Sequence, residues 1–523
     1  MTTDPLTAVS TRRTPQSQPI AGTVPNSAGG HAYPVDDWGR LNRFLILGTT
    51  GGSYYASEAK LTAENADVVM RCIKLDGPRT VRTIVDISVA GRNPKQHPVM
   101  FALAVCAGAD DPLTRSTALD ALPLVARTGT HLFLFARYVE QFRGWGRGLR
   151  TAVGNWYLNQ ENLEMQLAKY KQREGWSHRD LLRLSKPRPD IGSDIDRALG
   201  WAVGKNDEPT GFLGACEDAQ TATTGQLIKL IADNRLPWEV IPSEKLNDPE
   251  VLKALLPSMG VGALVRNLNR LTISGAVKPL SDELNFVVDK LTDPQAIKAS
   301  RIHPINVLTA LTTYASGKGV RGSGSWTPIG NITDALDVAF RLAFDNVEPA
   351  NKRTMVSLDV SASMGWSTIA GTHLTPAMGS AAMALITAAT EPQVHVTAFG
   401  TQMVLVHGIT PKSTLAEAVR AAAKITMGGT DCSAPMRYAL KQGISVDTFV
   451  VYTDSETWAG SIHPSQALIQ YRQKTGIPAK LVVVGMVSNG FSIADPNDAG
   501  MLDVVGFDTS APAVMADFSA GRI

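Results

Sequence analysis

Five oxygen-bearing side chains in the last third of the chain have the types and order of a hard-metal site. Asp359, Ser361 and Ser363 stand in Val356-Ser357-Leu358-Asp359-Val360-Ser361-Ala362-Ser363, Thr430 in Gly428-Gly429-Thr430-Asp431, and Asp454 in Tyr452-Thr453-Asp454. Two hydroxyls at alternate positions after an aspartate, plus an outlying Thr and Asp, make a small all-oxygen cage. With so few carboxylates and no soft donor, the cage suits Mg²⁺, with Mn²⁺ as its substitute. The serines alone would equally cap a following helix. Thr430 and Asp454, each at the end of a later segment, are what give the set its specificity.

Such residues need strands to carry them. An apolar run ending in aspartate is how a buried parallel strand leaves its sheet, and ligands in open α/β sheets lie beyond those carboxyl ends. After Glu348-Pro349, β-rich runs at 355–360, 394–399, 448–453, 480–484 and 502–505 alternate with helical stretches at 381–390, 414–425 and 465–473. Strand, helix, strand in alternation predicts a doubly wound parallel sheet. From Trp38 to Pro349 the apolar spacing is helical instead, for example at 64–74, 100–106, 116–125, 131–142 and 251–256. Many short amphipathic helices on tight turns predict an α-solenoid.

Enzymatic alternatives are poorly supplied. Phosphatases with an aspartyl nucleophile want a second aspartate two residues on, where this chain has Ser361. No Ser/His/Asp or Cys/His set stands out, and a non-enzyme is expected. Gly48-Thr49-Thr50-Gly51-Gly52 and Gly317-Lys318-Gly319 fail to complete a phosphate-loop pattern and read as turns. His303 and His463 precede prolines and read as turn or capping residues, while His178 stays open between packing and binding.

At 523 residues, two or three domains are expected, and 44% apolar content supports large cores. The net charge of +2 argues neither for nor against a polyanionic partner. Cys72, Cys106, Cys216 and Cys432 lack paired spacing, which suggests buried thiols in a reducing, cytoplasmic setting. No run is long enough to span a membrane. Residues 1–30, rich in Thr, Pro, Ser and Gly, read as a disordered tail.

Charge clusters in one place. Residues 141–190 hold ten basic and five acidic residues, with Trp145, Trp156, Tyr157, Tyr170 and Trp176 interleaved. Arg143, Arg147 and Arg150 would share a helical face, as would Lys169 and Arg173. Arg and Lys bind phosphate, and aromatic faces stack on unpaired bases. A solvated helical face is the plainer meaning of such a run.

Residues 169–184, Lys-Tyr-Lys-Gln-Arg-Glu-Gly-Trp-Ser-His-Arg-Asp-Leu-Leu-Arg-Leu, resemble the signature of the Ro ribonucleoprotein family within its TROVE domain. So do Gly144-Trp145-Gly146-Arg147-Gly148-Leu149-Arg150, Ala263-Leu264-Val265-Arg266-Asn267-Leu268 and Arg301-Ile302-His303-Pro304. Gly428-Gly429-Thr430-Asp431-Cys432-Ser433, Tyr452-Thr453-Asp454-Ser455-Glu456-Thr457-Trp458 and Ile493-Ala494-Asp495-Pro496 fit the same family, in order, from Trp38 to the C-terminus.

The resemblance implies a ring of HEAT-like helical repeats closed by a von Willebrand factor A domain, whose metal-ion-dependent adhesion site uses the Asp-x-Ser-x-Ser pattern. Y-like small noncoding RNA is expected on the outer basic surface of the ring. Single-stranded ends of misfolded RNA are expected in its central channel, with polynucleotide phosphorylase as an associated exonuclease. The role implied is RNA quality control by a monomer, with a metal-dependent protein-adhesion module on a helical scaffold as the alternative. Lys169 and Arg173 match the family's Y RNA-contacting pair. Lys186 stands where the family commonly has histidine, and a lysine there keeps a phosphate contact but loses stacking and pH sensitivity. Arg179 is a further expected contact, and Arg147, Arg150, Arg266, Arg270 and Arg301 are weaker candidates, each equally open to an interhelical pairing role. The expected division is 1–30 tail, 31–350 TROVE domain and 351–523 von Willebrand factor A domain.

Overall fold

The computed structural model describes residues 13–521 apart from 27–28, 35, 48–62, 91–92, 94–95, 206–208, 321–323, 367, 370–371, 426, 456, 487–490 and 506–510. The first part is helical, from Asp37–Leu47 to the 3-10 turn Ala343–Asn346. Successive helices pack on one another, as Ala63–Val89 does on His97–Gly108, and Pro304–Ala315 on Gly330–Leu342. The sequence His-Pro-Val-Met-Phe-Ala-Leu-Ala-Val-Cys-Ala-Gly is apolar all round, so this helix lies inside, with Pro98–Ala107 buried throughout. Gly77-Pro78 bends rather than ends its helix: Asp76 leaves helical geometry (φ −162°, ψ 94°), and its carboxylate accepts from the Arg79 N–H to restart the turn. All four cysteines are buried free thiols. No helix among the described residues is long and apolar enough to cross a membrane.

The second part is an α/β domain. Its strands are β5 (Arg353–Asp359), β6 (Gln393–Phe399), β7 (Met403–Leu405), β8 (Thr448–Thr453), β9 (Lys480–Gly485) and β11 (Met501–Val505), preceded in the chain by β1 (Val24–Pro25), β2 (His31–Pro34), β3 (Gln172–Arg173) and β4 (Trp176–Ser177), with β10 at Phe491–Ser492. The sheet order is β11-β9-β8-β5-β6-β7. Five strands are parallel, but β7 pairs antiparallel with β6, so the sheet is mixed rather than wholly parallel. Along β5, Val356 and Leu358 join one core and Met355 the other, the period-2 alternation of a strand covered on both faces. The helices Pro376–Thr390 and Leu415–Ala423 cover the first face, and Ala434–Gln442 and Pro464–Thr475 the second.

The helical array begins and ends on this domain. The helix Asp37–Leu47 meets β11, and Ala343–Asn346 meets Pro376–Thr390, so the α/β domain closes the array.

The expectation of a disordered tail needs correction over its described part; residues 1–12 lie outside the described residues. From residue 13 the chain is a strap laid on the α/β domain. β1 pairs with β2, and β2 pairs antiparallel with β10. Gln16 is fully buried, its N–H donating to Gly460 O at 2.9 Å while its carbonyl accepts from His31 at 2.8 Å. Polar composition marked this stretch as unable to form a core of its own, but it is satisfied by backbone and side-chain groups of a distant partner.

Candidate functional site

The chain runs from β5 outward to β6 on one side, then returns through β8 to β9 and β11 on the other. The order therefore reverses at β5, the place where an open α/β sheet leaves a crevice beyond its strand ends. Asp359 ends β5 and Asp454 follows β8. Thr430 precedes Asp431, whose N–H donates to Gly400 O just past β6 at 2.9 Å. Asp359 and Asp454 thus leave two adjacent strands, and the loop that carries Thr430 is tied to the end of a third.

Asp359 is buried, and among the described residues its hydrogen-bond partners are neutral. Its Oδ1 accepts from the Ser361 N–H at 2.9 Å and its Oδ2 from the Thr453 hydroxyl at 2.7 Å. Burial, and after it the Asp454 carboxylate, push the Asp359 carboxyl up to about 6. A divalent cation beside the buried Asp359 carboxylate would relieve that opposition to its ionisation. Ser361 precedes the 3-10 turn Ala362–Gly365 but makes no side-chain cap, and its hydroxyl instead lies 3.1 Å from that of Ser363. The capping reading of Ser361 therefore fails, and both hydroxyls stay together beside the aspartate. Hard oxygen donors and buried negative charge fit Mg²⁺ or Mn²⁺. Among the described residues no group of three or more His, Cys, Asp or Glu gathers for a metal.

Sequence reasoning missed the residues that hold this edge together. Thr430 is buried, and its carbonyl accepts from the Trp458 and Ala459 N–H groups, each at 3.0 Å, which ties its loop to the one after Asp454. Asp431 is not poised as a ligand. Its Oδ1 accepts from Gln16 Nε2 at 2.7 Å and the Ser433 hydroxyl at 2.6 Å, and its Oδ2 from Arg437 at 2.8 Å. Thr453, which the sequence marks only as strand, donates to Asp359, and its position just before Asp454 is the signal for that role.

The basic segment folds differently from a continuous helical face. Gly146 is the N-cap of the helix Arg147–Leu158, so Arg147 and Arg150 share it as exposed residues, whereas Arg143 lies before it and donates to Ala107 O at 2.8 Å. The next helix, Leu163–Lys169, ends at Lys169, and Arg173 sits in the β3–β4 hairpin, whose turn residues Glu174 and Gly175 take positive φ (56° and 81°). The helical i, i+4 pairing expected for Lys169 and Arg173 is therefore replaced by a turn. The hairpin still brings both to one place: Lys169, Lys171 and Arg173 line a cleft of about 290 Å³ with Gln220, Ile241 and the acidic Glu239.

Ion pairs set the electrostatics of this cleft. Lys169 Nζ lies 2.7 Å from Glu239, and Lys171 Nζ lies 3.8 Å from Glu217. Burial works against the charge of Lys169, yet Glu239 outweighs it and the ammonium pKa is raised. Arg179 is exposed on the helix His178–Ser185, and Lys186 is its exposed C-cap in left-handed geometry (φ 48°). This helix packs against Arg147–Leu158, which places Arg147, Arg150, Arg179 and Lys186 on neighbouring elements. Arg266, on Val261–Ile273, and Arg301, the left-handed C-cap of Pro294–Ser300, are exposed but lie outside the cleft lining.

The interleaved aromatics are mostly structural. Trp156 and Tyr157 are wholly buried, and the Tyr157 hydroxyl meets His178 Nδ1 at 2.8 Å. His178 is a core residue, its imidazole pushed down to about 4 by burial. Trp145 and Trp176 pack on each other with ring centres 5.7 Å apart. Base stacking on Trp156 or Tyr157 is sterically closed. His303 caps its helix as expected, accepting from the Ile305 N–H at 3.2 Å, whereas His463 Nε2 donates to Gln18 O of the strap at 2.9 Å. Gly48–Gly52 lies outside the described residues, and Gly317 occupies a turn (φ 68°).

Comparisons with known proteins converge on one family. Residues 24–201 and 216–313 match the TROVE domain, and residues 353–519 match the Ro60 vWA domain. The chain is 42% identical to an RNA-binding protein RO60 of Deinococcus radiodurans, over 99% of this chain and 98% of that one. It is 34% identical to an RNA-binding protein RO60 of Caenorhabditis elegans, over 96% of this chain and 91% of the relative. The crystal structure of the Deinococcus radiodurans RO (RSR) protein superposes with a TM-score of 0.76 at 41% identity, covering 93% of this chain and 100% of that one. With both domain matches in order and such identity over nearly whole chains, this chain belongs to the Ro family, a TROVE helical region followed by a von Willebrand factor A domain.

Proposed function

We propose that this chain binds small noncoding RNA of the Y-like kind on the face formed by Lys169, Arg173, Arg179 and Lys186, flanked by Arg147 and Arg150. Single-stranded ends of misfolded RNA are held within the closed helical array, and the role is RNA quality control rather than catalysis. The observation that carries this reading is the β3–β4 hairpin, which gathers Lys169, Lys171 and Arg173 at one cleft, beside the helix His178–Ser185 with its exposed Arg179 and Arg183. The Deinococcus and nematode relatives are named as RNA-binding proteins. Phosphate contacts of this kind fix register and give salt-sensitive affinity with little sequence readout. The reading extends to a cytoplasmic monomer, with polynucleotide phosphorylase as its candidate degradative partner.

The experiment is to sequence RNA that copurifies with the native protein, and to repeat the purification with Lys169→Ala/Arg173→Ala. Two lost charge-assisted contacts, at about 1.5 kcal/mol each, correspond to a roughly hundredfold drop in affinity. RNA recovered in unchanged amount and identity from the double variant means that the RNA sits elsewhere.

A second role belongs to the strand-end edge. There Asp359, Ser361, Ser363, Thr430 and Asp454 would hold Mg²⁺, which supplies an electrophilic point for an acidic group. Trp366 and Trp458 stand on the loops that carry Ser363 and Asp454, 81% and 44% exposed. Exposed tryptophans are frequent anchors of protein interfaces. A protein partner whose carboxylate completes the metal shell fits this edge, and chelation would release it.

A further inference from the structure

The strap and the metal edge are joined through one buried side chain. Gln16 Nε2 donates to Asp431 Oδ1 at 2.7 Å and to Ile462 O at 2.9 Å. On its other side, Gln16 Oε1 accepts from the Thr457 hydroxyl, which also lies 3.3 Å from Thr430 O. The same hydroxyl accepts from the Cys432 N–H at 3.2 Å. Gln16 thus touches Asp431, next to Thr430, and Thr457, next to the Trp458 and Ala459 N–H groups that hold the Thr430 carbonyl. No part of it reaches a metal donor directly.

The fit is built into both partners. A methyl group at Gly460 would run into Gln16 Nε2 and Asp431 Oδ1, and one at Gly30 would run into Thr457 O. Asn26 fastens the same stretch, its Nδ2 donating to Thr457 O at 2.8 Å and its Oδ1 accepting from the Gly30 N–H at 2.8 Å. Two glycines without room for a side chain, one on each partner, mark a close interlock rather than an incidental contact. A buried amide with its donors and acceptor satisfied fixes its neighbours because losing any one bond strands a polar group.

We propose that Gln16 is a positioning residue for the metal edge: the N-terminal strap sets the Thr430 and Thr457 loops, and through them the affinity for a divalent ion. The inference rests on the metal reading given above. A metal site gains affinity when its donors are held before the ion arrives, and the groups behind the donors supply that order. The strap continues through β2 toward the first helix, so this order is provided by a segment outside the α/β domain.

The test is Mn²⁺ binding to the full-length protein, followed by titration calorimetry, for the unaltered chain, D454A, Q16A and Y33F. Tyr33 also fastens the strap, its hydroxyl 3.2 Å from Ser465 Oγ and 3.3 Å from Asp495 Oδ2, but it lies away from the Thr430 loop. D454A should abolish uptake. Q16A should weaken it roughly three- to tenfold, the range one net hydrogen bond spans, whereas Y33F should leave it unchanged. If Q16A does not fold, Thr457→Val removes the hydroxyl between Gln16 and Thr430 and should show the same weakening. Equal losses in Q16A and Y33F, or no loss in Q16A, overturn the positioning role while the metal reading stands. Absence of Mn²⁺ uptake by the unaltered chain, or undiminished uptake by D454A, overturns the metal reading and this inference together.

Discussion

The two candidate regions are built on opposite principles. At the strand ends, the candidate donors are buried or half-buried, Asp359 is bonded to neutral groups, and the residue beside Thr430 is bonded to a distant strap. On the helical side, the basic groups are mostly exposed, and the two lysines lining the cleft are already paired with carboxylates. The first arrangement suits a small ion, whose binding depends on donors held within tenths of an ångström. The second suits a long polyanion, which tolerates misplacement of any one phosphate and draws its affinity from the number of contacts. A metal edge is therefore lost by loosening, and a basic face by screening.

Salt makes the widest separation between them. With six or more phosphate contacts, RNA affinity should fall roughly a thousandfold between about 50 and about 200 mM salt, measured by filter binding to the copurified RNA. Chelation of divalent ions should leave that affinity unchanged, and a parallel fall on chelation would erase the distinction. Acid offers the next largest effect. His178 is depressed from its ordinary value near 6.5 to about 4, so the unfolded chain takes up its proton before the folded one does. Its contribution is complete above about pH 6.5 and is lost as pH falls toward 4, about 3 kcal/mol in all. Urea unfolding midpoints across this window should decline less steeply in His178→Gln than in the unaltered protein. The smallest effect concerns Glu239, which occupies Lys169 as a phosphate would. Glu239→Gln should raise RNA affinity about threefold, as expected for a half-exposed ion pair, and should do nothing when Lys169 is alanine.

The strand-end site was the more legible of the two in the sequence, for physical reasons. A buried parallel strand must be apolar for its whole length, so the sudden aspartates at 359 and 454 mark its exit. Helix limits in the basic segment were harder to read. The turn at Glu174-Gly175 and the Gly146 cap broke two helical faces that charge spacing alone had suggested. Aromatic interleaving misled as well, because Trp156 and Tyr157 are core residues whose neighbours happen to be basic. The strap was invisible for a deeper reason. Its polar residues find partners more than 400 positions away, and no local pattern records a contact of that range.

That range has a consequence in time. Gln16 leaves the ribosome well before its partner Asp431, which follows 415 positions later. At synthesis rates of about 5–20 residues per second, the strap waits roughly 20 to 80 s for the surface it binds. The helical region is made during that interval, so the N-terminal end must stay uncommitted while everything between it and its partner is completed. Closure of the molecule is then a late event, reached only when the last third of the chain has been made.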